Sequence, residues 1–275
     1  MIDKGILCMA QNNQFVNYAR LAYLQRLSLK LVYPDIPYAI VTDQASIDSL
    51  SNKQQAAFDH VIILDCDWAD EQIWKQRNDW QLFHLSPFRE TIKVEADLLF
   101  TRSFDHWWPA LRHRDLVLAT GCKNFKGELA TSRAYRKIFD ANFLPDTYSG
   151  LMYWRYSKLA ADFFSYCQQI YSQWNEVKSS LLYCDDPGSN DLVFSLAARI
   201  IGEDLVTLPA LDFRFVHMKS AINNTNKIWT EEFNIELNPP SLRLNTVEQY
   251  YPFHYHEKDW VTDSIIERYE KCLLN

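Results

Sequence analysis

The sequence predicts an α/β/α sandwich on a mixed, mostly parallel central sheet, and three observations carry that reading. Over the first hundred residues short apolar runs alternate with longer stretches of helical spacing, the order that builds strand–helix–strand units. Of 275 residues 48% are hydrophobic, enough to bury a sizeable core, against 23% charged. The six Gly and ten Pro are dispersed, which excludes collagenous, low-complexity and disordered chains.

Taken in order, Ile6–Ala10 is an apolar run suited to a buried strand, and the polar residues after it form a loop. Phe15–Val32 reads as a helix, with Ala19, Ala22, Tyr23, Leu27 and Leu31 on one stripe, and Pro34 ends it. Tyr38–Val41 and His60–Leu64 are the next strands. A helix and an excursion are expected in the tryptophan-rich stretch from Asp65 to Phe88. Thr91–Phe100, Leu116–Thr120 and Gly150–Trp154 read as strands, Ser157–Trp174 and Ser189–Ile201 as helices. Phe213–Lys219 alternates like a strand. Beyond Asn223 the chain reads as mostly loop until a last helix at Thr262–Leu273.

Charge and motif content narrow the function. With 28 Lys and Arg against 35 Asp and Glu, the net charge of -7 opposes attraction of the whole body to nucleic acid or an anionic membrane. No apolar run approaches the roughly 20 residues that span a bilayer, and the start lacks a secretory core, so the expected location is the cytoplasm, away from membranes. The six cysteines are scattered with no CxxC pair and read as reduced thiols. Neither GxGxxG nor a P-loop occurs, so any phosphate would be held by a metal or by cations.

Chemistry concentrates at Ser86–Phe100. On a strand, Lys93, Glu95 and Asp97 share one face. Where such a strand bends into a loop, the two carboxylates can converge on a hard divalent cation, magnesium or manganese. The same alternation also describes a half-exposed strand with a wet face. A metal-dependent phosphatase or nuclease would need more clustered carboxylates and histidines than the chain offers.

The phrase SPFRETIKVEADLL resembles the metal-binding aspartate-x-aspartate region of GT-A glycosyltransferases, with Glu95 standing where the first aspartate is usual. The resemblance implies a GT-A-like, Rossmann-type fold over residues 1–222, with the nucleotide-binding part at 1–100, the acceptor part at 101–222, and 223–275 as an extension packed on it. It implies a divalent metal (Mn²⁺ or Mg²⁺) on Glu95, Asp97 and His217, the last from a His-x-Lys element that ends in Lys219. Donor contacts would come from Gln11, Tyr18, Asp43, Lys93 and Lys219, although Asp43 also suits a helix N-cap. Tyr148–Met152 is similar to the serine-glycine element lining the acceptor side, giving Ser149 and Gly150. Asp191, and after it Asp186, would be the catalytic carboxylates, although Ser189 and Asn190 are also good caps for the helix that follows.

The implied reaction moves a sugar from a nucleotide-sugar donor, UDP-linked, to a hydroxyl acceptor. A basic, aromatic-bearing stretch that includes Arg133 and Arg136 would suit a phosphodiester backbone, and the chain is similar in style to compact phage glycosyltransferases, which adds hydroxymethylcytosine in DNA to the candidate acceptors. A glycan or protein acceptor is the alternative. So is a non-catalytic sugar- or nucleotide-binding protein of the same fold, with Trp68, Trp74 and Trp80 as stacking faces.

Overall fold

The computed structural model describes residues 1–69, 72–130 and 136–274. Its main sheet begins with β1 (Ile2–Met9), β2 (Tyr38–Thr42), β3 (His60–Ile63) and β4 (Phe88–Glu95), parallel in the order β3-β2-β1-β4. Next in the chain come β5 (Leu98–Leu99), β6 (Leu116–Thr120), β7 (Cys122–Lys123), β8 (Leu129–Ala130) and β9 (Thr147–Arg155). The long β9 lies antiparallel between β4 and β6, so the sheet is mixed but mostly parallel, as expected. Register puts Met9 beside both Val41 and Glu95, which brings Gln11, Asp43 and Glu95 to one carboxyl edge. Ligand sites of open α/β sheets lie at that edge.

Alternation along the strands divides the core. Ile6, Cys8, Ile40, Ile92 and Val94 pack under the helix Tyr18–Val32, while Leu7, Val41, Met152 and Trp154 face the helices Lys158–Ser172 and Asn190–Ile201. Phe163, Phe164 and Phe194 are wholly buried on that second side, each contributing about 1.5–3 kcal/mol by burial.

The helix Tyr18–Val32 also shapes the site. Asn17 caps it by accepting from the Arg20 N–H, and its buried Gln25 donates to the carbonyls of Glu95 (2.5 Å) and Leu98 (3.1 Å). Ser28 accepts from the Phe100 N–H at 3.0 Å. The expected strand over 91–100 is therefore two short strands: β4 ends at Glu95, a turn carries Ala96 and Asp97, and β5 joins another sheet. Two buried side chains satisfying the turn's backbone explain the break.

That second sheet and a separate three-stranded one overturn the expectation of loop beyond Asn223. After β10 (Val216–His217) come a meander of β11 (Ile235–Asn238), β12 (Ser241–Leu244) and β13 (Val247–Glu248), then β14 (Phe253–His254). The order β5-β14-β10-β7-β8 places β14 antiparallel to β5 and parallel to β10. Of the expected strand at Phe213–Lys219, only Val216–His217 pairs as one. The Trp-rich stretch holds a 3-10 turn at Lys75–Gln81 and a short helix at Leu82–Leu85. Among the described residues no helix is long and apolar enough to cross a membrane.

Candidate active site

A cleft of about 450 Å³ opens at the carboxyl edge of the main sheet. Its walls include Gln11, Tyr18, Lys93, Glu95, Asp97, Arg136, Ser149, Gly150, Asp186, Asp191, His217 and Lys219, residues far apart in sequence that the fold collects. Asp43 stands one layer back: it caps the helix Gln44–Asp48 by accepting from the Ser46 N–H (2.7 Å), and its other oxygen accepts from the Gln11 amide (3.2 Å). Arg133 falls outside the described residues.

The metal-ligating geometry follows from strand register. His254 pairs with Leu98, the residue after Asp97, so its imidazole meets the carboxylates. Ligand atoms of Glu95, Asp97 and His254 lie within 4.8 Å of one another. His254 Nε2 is 2.8 Å from Asp97 Oδ2 and 3.7 Å from Glu95 Oε2, and Lys258 Nζ is 2.6 Å from the same Asp97 oxygen. The histidine on the carboxylates is thus His254, whereas the sequence pointed to His217. Because His217 pairs with His254 across β10 and β14, its ring lies parallel to that of His254, 4.6 Å away and tilted by 5°. A ring stacked in the second row stands beside the group that His254 forms.

Charge follows this layout. Burial alone would raise the Asp97 pKa, but His254 and Lys258 hold it far below the usual carboxylate range. Burial, together with His254 and Lys219, pushes His217 well below its ordinary value. Burial and Lys258 bring His256 down to about 3. Burial, then the charges of Asp97 and Glu95, raises Tyr18. Gly150 lies in close approach: a Cβ there would sit 3.2 Å from Glu95 Oε2 and from the Phe215 ring, so those neighbours would have to give way. Ser149 Oγ donates to Glu95 Oε1 at 3.0 Å.

The opposite wall is a web of internal ion pairs. Arg136 is 3% exposed, donates to Asp191 Oδ2 (2.9 Å) and pairs with Asp146. Its guanidinium lies over Tyr148 and Phe139, at 4.1 and 3.8 Å from the ring centroids. The Ser149 N–H donates to Asp191 Oδ1 at 2.7 Å. Burial opposes ionisation of Asp191, yet Arg136 and Ser149 outweigh it and hold its pKa low. Asp186 turns into its own loop, accepting from the N–H groups of Gly188 and Ser189 and from the Ser189 hydroxyl. Lys93 is buried rather than aimed at a ligand, with Nζ 3.0 Å from Asp79 and 2.7 Å from the Ser149 carbonyl. The sequence reading did not single out Asp79, Asn190, His254 or Lys258, which line the cleft as well. For His254 the available signal was the Phe-His-Tyr-His run, an apolar–polar alternation in a tail otherwise read as loop.

No family model matches the chain, and the search of curated proteins found no match. Solved structures do match. The galactosyltransferase LgtC in complex with donor and acceptor sugar analogues aligns at a TM-score of 0.56 and 16% identity, over 97% of this chain and 94% of that one. An active-site mutant of LgtC aligns at 0.54 and 17% identity, over 98% and 95% of the two chains. The apo form of mouse xyloside xylosyltransferase 1 lies further off, at a TM-score of 0.49 and 11% identity over 76% and 85%. With its mixed sheet and the cleft at that sheet's carboxyl edge, the chain has the fold of GT-A glycosyltransferases such as LgtC.

Proposed function

We propose that this protein is a metal-dependent glycosyltransferase that moves a sugar from a UDP-sugar to a hydroxyl acceptor. The observation that carries the reading is the meeting of Glu95, Asp97 and His254 beside Lys258 at the sheet's carboxyl edge. Two carboxylates and an imidazole suit manganese or magnesium, and the imidazole favours manganese. The Nδ1 atoms of His254 and His217 are buried with no hydrogen-bond partner among the described residues, which suits a site that gains polar groups on loading. When bound, the cation would supply Lewis-acid charge for the donor's diphosphate.

The chain's own residues divide the remaining work. Lys258 and Lys219, both lining the cleft, place positive charge for phosphate oxygens. Gln11 and Tyr18 stand at the nucleoside side, with the Gln11 amide oriented by Asp43 and by Asn78, which donates to it at 2.7 Å. Asp191, fixed as an anion by Arg136 and the Ser149 N–H, is a weak base and suits the support of positive charge at the anomeric carbon. Asp186 acts by shaping the loop before Asn190. In this reading residues 1–100 carry the nucleotide and 101–222 the acceptor, while 223–275 complete the metal site through His254 and Lys258.

The acceptor is assigned as a hydroxyl compound and no further. Three cations of the basic stretch that suggested DNA are held in internal contacts: Arg136 on Asp191 and Asp146, Lys123 on Asp212 at 3.1 Å, Arg112 on Glu90 at 2.8 Å. Incubation with a panel of nucleotide sugars, with and without Mn²⁺, and with oligosaccharides or hydroxymethylcytosine DNA, tests the proposal by mass. The expected result is metal-dependent UDP release and a sugar increment on one acceptor. Metal-indifferent nucleotide binding with no turnover of any donor would replace it with the non-catalytic binding protein.

A further inference from the structure

A second cavity, of about 330 Å³, lies on the far side of β10 from the cleft, between the β7–β8 turn and the segment from β13 to β14. Val216 lines it, whereas the next residue, His217, lines the cleft. Three aromatic rings form its walls, and each is held from behind. The Phe125 backbone N–H donates to Asn223 (2.8 Å), its carbonyl accepts from Gln249 (2.9 Å), and its ring packs on Phe233. Tyr250 is 54% exposed, yet the Arg102 guanidinium sits 4.0 Å from its ring centroid and covers one face. Tyr251 donates its hydroxyl to Asp212 at 2.7 Å and lies under Lys123.

We propose that this cavity is a saccharide-binding site separate from the cleft. Rings fixed in place before a ligand arrives lose little freedom on stacking, and a sugar's C–H faces fit aromatic surfaces while its hydroxyls need mixed donors and acceptors. Thr246, Glu248 and Lys126 supply both kinds at the rim. Glu248 accepts from the Ser241 hydroxyl and lies 3.5 Å from Arg243, and with Lys126 it presents opposed charges that favour an uncharged ligand over a phosphate or a nucleic-acid backbone. The volume is at the small end of ligand pockets, room for about one or two pyranose rings. Such a site would retain a glycan near the cleft without taking part in transfer.

Saturation-transfer NMR with lactose and with cellotriose tests the proposal, alongside calorimetric titration with UDP and Mn²⁺ on the same samples. At least one of the two sugars is expected to give saturable ring-proton signals that persist when UDP and Mn²⁺ are present. Tyr250→Ala, at an exposed position, should weaken sugar binding at least tenfold and leave UDP titration and thermal melting unchanged; Glu248→Gln should weaken it less. No signal from either sugar overturns the proposal, as does binding that survives Tyr250→Ala or is displaced by UDP. A uridine monophosphate signal lost in Tyr250→Ala would make the cavity a nucleotide site instead. Because UDP binding is read separately, failure here and failure of the glycosyltransferase reading give different results.

Discussion

At one end of the cleft Glu95 and Asp97 face His254 and Lys258; behind it Asp191 faces Arg136, and Asp79 faces Lys93 of β4. The cations of the second side are almost wholly buried, with side chains 4% and 2% exposed, and each bonds further to a carbonyl, Thr147 for Arg136 and Ser149 for Lys93. Those of the first side are exchangeable. Lys258 reaches in from a more open position, and a histidine carries charge only when protonated. One wall is thus a frame whose charges are already matched, and in the proposed function the other would trade its partners for a divalent ion. Buried pairs of the first kind are costly to break, because removing one partner strands the other.

Each substitution below strains one side of that contrast, beginning with the largest expected effect. Asp97→Asn removes the carboxylate shared by His254 and Lys258, and turnover should fall on the order of a thousandfold (~4 kcal/mol) while the protein stays folded, with a lower melting temperature because the ionised carboxylate also stabilises the fold. Steady-state assays with Mn²⁺ and calorimetry check both halves. Arg136→Met should strike stability as well as turnover, lowering stability by about 3–5 kcal/mol in urea titrations, since Asp191 and Asp146 would lose a buried cation. A loss under about 1 kcal/mol would mean the frame is not a frame.

Gly150→Ala probes where the walls touch. Its Cβ would press on Glu95 and Phe215, and Mn²⁺ affinity, measured by electron paramagnetic resonance, should drop roughly tenfold (~1.4 kcal/mol) with the fold intact. Smallest is a pH effect on the metal-free protein. His217 and His256 have folded pKa values below the unfolded value of about 6.5, so the unfolded chain takes up protons first as pH falls. Stability should be level above pH 7 and decline from about 6.5 downward, toward 3 for His256. His256→Gln should make that decline shallower in melts between pH 7.5 and 5.

Much of this architecture was legible in the chain. Apolar runs marked β1, β2 and β6 because these strands are buried on both faces, and the stripe at Ala19, Ala22, Tyr23 and Leu27 marked the helix Tyr18–Val32. Glu95 and Asp97 stood out as carboxylates alternating at the end of a strand, whereas Ser149, Gly150 and Asp191 came from the resemblance to GT-A glycosyltransferases. What the chain did not disclose depends on pairing between distant segments. His254 reaches Asp97 only because β14 lies against β5, and its two-residue strand is too short to show a period. The internal partners of Lys93 and Arg136 were hidden for a related reason: in sequence they are surface-type cations, and only tertiary contact shows them buried against Asp79, Asp146 and Asp191. Asp43 kept the capping role that its position before a helix allows.

Calorimetric titration of UDP into the metal-free protein, repeated with Mn²⁺ and then with Asp97→Asn and His254→Ala, puts the shared ion site to the most direct trial. The expected pattern is weak binding without metal, a gain of at least tenfold with it, and loss of that gain in both variants. UDP binding equally tight with and without Mn²⁺, or a metal-driven gain that persists in Asp97→Asn, would contradict the account.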